Sequence, residues 1–589
     1  MGSKLVITPS PKSKSMQKRW EVKIPIENTI VEDFRSKLKT DKIVAELLLQ
    51  RDIRSFDEAQ DFFRPKLEDL HDPFLMKDMD NAVGRLQEAI DEGQRVMLFG
   101  DYDVDGTTAV ALMFSFLRDT LPLDFYIPNR YKEGYGLSKL GIDVAHKNEV
   151  ALIISLDCGI KSLEEIAYAK GLGIDFIVCD HHTPGKELPD AIVLDPKRKD
   201  CDYPYKELSG CGVGFKLLQG LCELNNWGQE RLFQYLDLLA LSIGADIVHV
   251  TGENRILSFH GLKKLNENPR EAFKVLLTYA KKTFPVTLTD LIFSVAPRIN
   301  AAGRLRSGKY AVELMISKNT DEILSLAEEI NQDNLERRQL DSDITKEALE
   351  ILKKDTNQAN AFSNVIFNKN WHKGVIGIVA SRIIESYHKP TIVLTESNGL
   401  ITGSARSIKG FDVYNGLAEC AHLLDQFGGH TFAAGMTLKP ENLNEFKATF
   451  EAVVKKTISK ETLAPEQIVD IELSFDQIFG VNENRLKIPK LKRIISQFEP
   501  HGPENMKPVF ISKNVFSTDV RILKEAHLKL SMTQPNHDVV IEGIGFNMSD
   551  KYDIVASGLP FDLVYTIEVN RWKDRESIQL NIKDIREVI

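Results

Sequence analysis

Between about residues 95 and 250 the chain alternates short, nearly continuous apolar runs with stretches of helical period. Arg95-Val96-Met97-Leu98-Phe99, Val150 to Leu156 and Ile174 to Cys179 lack polar alternation, so each is expected to be a strand buried on both faces. Leu238 to Ala245 is a further run of the same kind. Alternation of such strands with helices predicts a mostly parallel sheet with helices on both faces. Upstream, Ile43 to Phe63 and Met79 to Ile90 carry helical periodicity and are expected to lead into that sheet. From Thr320 to about Lys354 the chain is charged, lacks Gly and Pro, and keeps Ile323, Leu324, Leu326, Ala327 and Ile330 at helical spacing. One long connecting helix follows from that pattern.

A second α/β unit is expected from about 360 to 460, with strands at Asn364–Phe367 and Thr391–Leu394. After about residue 462 the pattern changes to short alternating strands: Val509–Ile511, Val520–Leu523, Leu528–Met532, Asp538–Phe546, Leu563–Val569 and Ile578–Ile582. These predict a small closed β-barrel. The fold class is therefore α/β, with two α/β domains joined by a long helix and followed by a barrel. No internal repeat is present.

The apolar runs end on chemistry. The first is followed by Asp101, Asp103 and Asp105 at alternate positions, just before the helical stretch that includes Thr107 to Leu112. The second ends at Asp157, the third at Asp180-His181-His182, and the Leu238 run at Asp246. Open α/β sheets place their ligands at the carboxyl ends of strands. Carboxylates packed so closely repel one another, so the pattern calls for a divalent cation. An EF-hand calcium loop also begins D-x-D-x-D-G, but its twelfth position must be Glu. Here the twelfth residue from Asp101 is Leu112, and a strand precedes the loop, so that reading fails. Imidazole combined with carboxylate suits Mn, Fe or Zn better than Ca.

On these residues the chain resembles the DHH phosphoesterases, which take their name from the motif seen here at Asp180-His181-His182. Further motifs place it near the RecJ family, single-strand-specific 5′→3′ DNA exonucleases. They are Ile127-Pro128-Asn129-Arg130 with Glu133-Gly134-Tyr135-Gly136-Leu137, Pro297 to Arg304, and Trp371 to Arg382. Gly428-Gly429-His430 and Ala433-Ala434-Gly435 complete the set typical of the associated DHHA1 domain. The resemblance runs from about Trp20 to the C-terminus. It implies a leader at 1–19, a DHH catalytic domain with its helical lead-in at 20–320, and a connecting helix at 321–357. A DHHA1 domain at 358–461 and an oligonucleotide-binding (OB) barrel at 462–589 would follow.

The resemblance also implies roles. Asp157 would bridge two metal ions, Asp103 would ligate the first, and Asp105, His181 and Asp246 the second. Asp101 would complete the first ion. Small DHH enzymes place a His two residues before that position, where this chain has Phe99, and the poorer imidazole supply shifts preference toward Mn²⁺ or Mg²⁺. His182 would contact the phosphate or protonate the leaving group, or else orient His181 from behind; Asp180 would support rather than ligate. Asp157, His182 and Asp105 are thus the expected catalytic set. For substrate, Arg130, Tyr131 and Tyr135 would serve phosphate and base, with core packing equally open to Tyr135. Arg298, Asn300 and Arg304, in an expected Gly/Ala-rich loop, would hold the scissile region. Ser404, Arg406, Ser407, Gly429 and His430 would grip the strand from the second domain, and Trp572 is a stacking or core candidate on the barrel.

At 589 residues the chain is too long for a single core. Met1 to Gln17 is polar, with the composition of a disordered extension rather than an export signal. Six cysteines without paired spacing argue for a reduced, cytoplasmic protein and against a zinc finger. The net charge of −10 is no bar to a nucleic-acid partner, because local and not global charge meets the phosphates. The implied partners are single-stranded DNA, a single-strand-binding protein and a RecQ-type helicase, with the chain a monomer and no membrane. Two other functions share the metal motifs. A small-substrate phosphoesterase for short oligonucleotides or cyclic dinucleotides would need no barrel, and a non-catalytic DNA-binding scaffold would have lost ligands.

Overall fold

The computed structural model describes residues 18–358, 360–479, 488–535, 539–572 and 575–588, without the side chains of Trp572 and Arg575. The expected leader therefore lies almost wholly outside the described residues, and so does the Trp572 side chain. The chain forms two compact units. One comprises Gln60–Gln339 with Phe498–Met506; the other comprises the residues up to Ala59, Leu340–Gln497 and Lys507–Ile589.

The first unit is built on a five-stranded sheet. Its strands are β1 (Val96–Gly100), β2 (Leu123–Tyr126), β3 (Leu152–Leu156), β4 (Asp175–Cys179) and β5 (Ile192–Leu194). All are parallel, in the order β2-β1-β3-β4-β5. The order reverses between β1 and β3, which makes their carboxyl ends the switch-point crevice of the sheet. Burial on both faces explains the uninterrupted apolar runs. Leu98, Ile154 and Ile177 face a core shared with Leu112, Phe215 and Leu239. Met97, Phe99, Ile153 and Val178 face Ile142, Ile166 and Ile174 on the other side.

Helices α1 (Val104–Leu117), α2 (Gly210–Leu224), α3 (Leu236–Asp246) and α4 (Ala296–Leu305) belong to this unit. Two expectations change here. The Leu238 to Ala245 run is the buried helix α3, not a strand; an element buried all round has no polar face to betray its period. Arg298, Asn300 and Arg304 lie on helix α4 rather than in a loop. Its small residues serve close packing, since a Cβ on Gly303 would stand 2.6 Å from the Tyr102 carbonyl oxygen. The connecting helix α5 spans Thr320–Lys354 unbroken. Its first half buries Ile323, Ala327 and Ile330 in the first unit, and its second half buries Ile344, Ala348 and Leu352 in the second.

The second unit holds a five-stranded mixed sheet and a barrel. The sheet strands are β6 (Asn364–Phe367), β7 (Thr391–Ser397), β8 (Leu400–Arg406), β9 (Gln426–His430) and β10 (Ala433–Leu438), in the order β9-β10-β8-β7-β6. Helix α6 (Ile376–Tyr387) covers one face through Val379 and Ile383, and α7 (Leu443–Thr457) covers the other through Phe446 and Phe450. The barrel strands are β11 (Phe510–Leu523), β12 (His527–Thr533), β13 (Ile541–Gly545), β14 (Phe561–Trp572) and β15 (Arg575–Glu587). They close in the order β11-β12-β13-β15-β14, with β14 returning to β11. The two runs expected at Val509–Ile511 and Val520–Leu523 are one bulged strand, β11. Phe546 lies exposed at the end of β13, its ring edge-on to His527.

Residues 20–59, expected to belong to the first domain as part of its lead-in, pack in the second unit instead, together with Lys18 and Arg19. Arg19–Val22 pairs in parallel with Glu466–Val469, and the Trp20 indole donates to Asp584 at 2.8 Å beneath the Arg586 guanidinium. Polar edge strands and a lone Trp give no periodic signal for that docking. Among the described residues no helix is long and apolar enough to cross a membrane.

Candidate metal and catalytic centre

The carboxyl ends of β1, β3 and β4 and the C-terminus of α3 converge. Asp101 follows β1 directly and is 0% exposed, with neither oxygen hydrogen-bonded. Asp103 caps α1, its Oδ1 accepting from the Gly106 amide at 3.2 Å. Asp105, in the first turn of α1, reaches the N-terminus of α2. Its oxygens accept from the Gly210 amide at 2.6 Å, the Cys211 amide at 2.9 Å and the Ser242 hydroxyl at 2.6 Å. Ser242 is held in turn by Ser209, the cap of α2, at 2.7 Å. A helix N-terminus is where a carboxylate is best stabilised.

Asp157 ends β3 with φ +61°, a left-handed conformation that Asp tolerates better than most residues. Its Oδ1 lies 3.2 Å from His181 Nε2. The same nitrogen is 3.5 Å from Asp246 Oδ2 and 3.8 Å from Asp105 Oδ2. Gly210 makes this crowding possible, because a Cβ there would sit 2.6 Å from the Asp157 Cβ. Three groups of potential ligand atoms lie within 4.8 Å of one another: Asp101, Asp103 and Asp157; Asp105, His181 and Asp246; and Asp157, His181 and His182. Asp157 is common to two of them.

Burial and mutual repulsion raise the carboxyls of Asp101, Asp157 and Asp246 well above the usual range. Burial lowers His181 to about 4, leaving a neutral imidazole with a lone pair to offer. Both Asp101 oxygens, Asp157 Oδ1, Asp246 Oδ2 and both His181 nitrogens are buried without a hydrogen-bond partner. Unpaired buried polar atoms cost about 1–3 kcal/mol each, more when charged. Six in one place, four of them carboxylate oxygens, fit a site for divalent cations.

Asp180 is different. Its oxygens are spent on the amides of Ile160 (3.0 Å), His181 (2.8 Å) and His182 (3.1 Å) and on His182 Nδ1 (2.8 Å). It orients His182 and has little left for a cation. Burial disfavours a charged His182 ring, but the hydrogen bond and charge of Asp180 outweigh that and raise its pKa. His182 Nε2 lies 3.2 Å from the Tyr135 hydroxyl.

Around the centre, Arg130 stacks over the Tyr102 ring at 5.0 Å. The Tyr131 hydroxyl donates to the Arg304 carbonyl and so ties its loop to α4. Asn300 and Arg304, one turn apart on α4, are half-buried. Arg298 is turned inward, donating to the Ser294 carbonyl at 2.5 Å and to Asn331 at 3.1 Å. Its partners make it a brace for α5.

Three matches to known domains cover much of the chain: the DHH family N-terminal domain over residues 95–243, the DHHA1 domain over 358–456 and the RecJ OB domain over 469–584. The single-stranded-DNA-specific exonuclease RecJ of Bacillus subtilis is 35% identical over 571 residues, 96% of this chain and 70% of that protein. This chain belongs to the RecJ family. The RecJ of Escherichia coli is 32% identical, with 86% of this chain and 90% of that protein aligned. A crystal structure of RecJ from Thermus thermophilus in complex with Mn²⁺ superposes with a TM-score of 0.82 at 25% identity, covering 97% of this chain and 80% of that one.

The remaining RecJ-type candidates lie in the second unit. Arg406 Nη1 donates to Ser404 Oγ at 3.0 Å and to the Ala405 carbonyl at 2.7 Å. In register, Arg406 opposes Ala433 and Ala433 opposes His430, while Ser404 opposes Gly435 and Gly435 opposes Gly428. Ser404, Arg406 and His430 therefore share one sheet face, with Gly429 next to them on the edge strand. Gly377, in the first turn of α6, closes on that face: a Cβ there would stand 2.8 Å from both Arg406 Nη2 and Ser404 Oγ. Ser407 instead donates to the Phe411 carbonyl at 2.8 Å and holds its own loop.

Some members of the site escaped the sequence. Ser209, Gly210 and Ser242 carry no charge, so nothing advertised their hold on Asp105. Asp195 did have a signal, an apolar run ending in Asp at the close of β5. It is fully buried, with one oxygen accepting from the Lys197 amide at 2.7 Å and the other unpartnered, and burial raises it to about 7.

Proposed function

We propose that this RecJ family member is a single-stranded-DNA-specific exonuclease working 5′→3′ in DNA repair and recombination, and that it uses two divalent ions. The observation that carries this reading is the set of buried, unpartnered ligand atoms shared around Asp157. Asp101, Asp103 and Asp157 would hold one ion, and Asp105, His181 and Asp246, again with Asp157, the second. Oxygen-rich donors with one imidazole favour Mn²⁺, with Mg²⁺ as substitute. A pair of such ions, when bound, clamps the attacking and leaving oxygens of a phosphodiester.

The chain's own residues do the rest. The α2 amides and Ser242 fix Asp105 before any ion arrives, and Asp180 fixes the His182 ring so that Nε2 addresses the substrate. Arg130 and Arg304 supply positive charge beside Tyr102, suited to the phosphates flanking the scissile bond. Arg406, with the open backbone of Gly428-Gly429, would read the terminal 5′-phosphate, since glycine lets amides approach phosphate oxygens. The barrel would grip the strand beyond it.

Digestion of end-labelled DNA tests this directly. Mononucleotides should leave single strands from the 5′ end with Mn²⁺, more slowly with Mg²⁺ and not at all with chelator, while blunt duplex persists. Release from 3′ ends, or activity surviving chelation, would overturn the assignment.

A further inference from the structure

The Tyr135 hydroxyl stands where substrate has to meet His182. One ring nitrogen of His182 is committed to Asp180 at 2.8 Å, and Asp180 is itself pinned by three backbone amides. Whatever His182 offers a phosphodiester must therefore pass through Nε2. That atom lies 3.2 Å from the Tyr135 hydroxyl, which also sits 3.4 Å from the Asp157 carbonyl oxygen.

Tyr135 is nonetheless poorly held. Its side chain belongs to a residue 56% exposed. It is flanked by Gly134 at φ +92° and Gly136 at φ +81°, and a Cβ on either glycine would meet nothing within 4 Å. The loop on both sides is anchored. Glu133 accepts from the Asn129 amide at 2.7 Å, the Tyr126 hydroxyl at 2.8 Å and the Ser138 hydroxyl at 2.6 Å, and Tyr131 is tied to Arg304. Between Glu133 and the buried Gly136-Leu137 pair there remains a short exposed tip, Gly134-Tyr135, an aromatic finger with a glycine on either side. Beside it the Tyr102 ring lies edge-on at 6.2 Å, beneath Arg130.

We propose that Tyr135 is a displaceable cap on His182: the incoming phosphodiester takes over Nε2, and the released ring becomes a stacking face for the adjoining base. This rests on the exonuclease reading above. Cap and substrate compete for one atom, so removing the hydroxyl alone should help binding, whereas removing the ring should harm it.

The test is steady-state cleavage of a 5′-phosphorylated single-stranded oligonucleotide at saturating Mn²⁺. Tyr135→Phe should lower KM about three- to tenfold, the net worth of one hydrogen bond, with the change carried by KM rather than kcat. Tyr135→Ala should raise KM roughly tenfold or more by losing the stack. A 2-aminopurine placed next to the scissile phosphate should be quenched on binding to wild type and Tyr135→Phe but not to Tyr135→Ala. A Tyr135→Phe enzyme with unchanged or raised KM overturns the cap, as does a fall in kcat alone, which would mark Tyr135 as a fixed positioning residue. A wild type that leaves the oligonucleotide intact overturns the exonuclease reading and the cap together.

Discussion

The two five-stranded sheets use opposite means to present a ligand surface. The first is all parallel and gathers carboxylates at its switch point, where they are buried, crowded and short of hydrogen bonds. The second is mixed, and its candidate face is stripped of side chains: Gly428, Gly429, Ala433 and Gly435 leave backbone exposed around a single Arg406 whose contacts are satisfied locally. Stored electrostatic cost marks the place of chemistry, because a bound cation relieves it. Smooth, satisfied backbone marks a place of holding, where nothing needs to change during a reaction.

The contrast is broken most severely at Asp157. Asp157→Asn should reduce turnover by at least roughly a thousandfold, the upper end for losing one preorganised charge contact, while the melting temperature holds or rises as repulsion is relieved. Single-turnover cleavage at saturating Mn²⁺ measures it, and retention of a tenth of wild-type rate would remove Asp157 from the centre. Asp180→Asn keeps the shape of the His182 contact but not its charge, and should cost about 10–100-fold in the same assay, the range for residues supporting a metal site.

The second sheet should respond in affinity rather than turnover. Arg406→Ala should erase about a tenfold preference for 5′-phosphate over 5′-hydroxyl ends, as expected for one charge-assisted hydrogen bond, with Mn²⁺ binding by calorimetry unaltered. If the preference survives, the end-reader is elsewhere and Arg130 is next. The smallest effect belongs to the barrel. Phe546→Ala should weaken binding of long strands by about three- to tenfold through one lost stack and leave trinucleotides unaffected. A point substitution suits this better than deletion, since Glu466–Val469 pairs with Arg19–Val22 and Phe498–Met506 packs in the first unit.

What was legible in the sequence follows from the same contrast. Buried parallel strands must be apolar throughout, so their ends, and with them Asp101, Asp157 and His181, could be found by inspection. Helix α5 was legible because thirty-five residues lack Gly and Pro. The α3 run was not, since uniform burial erases the period that separates helix from strand. Nor was α4, whose Ala-Ala-Gly suggested a loop when it serves contact with Tyr102. The Ser209–Ser242 support of Asp105 was hidden because neutral, small residues announce nothing. Docking of residues 18–59 rests on one Trp, a four-residue parallel pairing and scattered polar contacts such as Lys23–Asp470 and Gln50–Asp470, too little pattern to read.

The interleaving of the two units also imposes an order in time. The first unit contains Phe498–Met506, where Arg255 donates to the Phe498 carbonyl at 2.9 Å and Asn505 closes the turn onto the Phe498 and Pro500 carbonyls. A ribosome adding about 5–20 residues per second delivers that segment only well after the metal-binding strands have emerged. Meanwhile residues 18–59 wait for the barrel, which is translated after every other element described above. Neither unit can be completed before residues 498–589 emerge, so a translation product interrupted just upstream of them carries every proposed metal ligand and yet lacks a finished body to hold them.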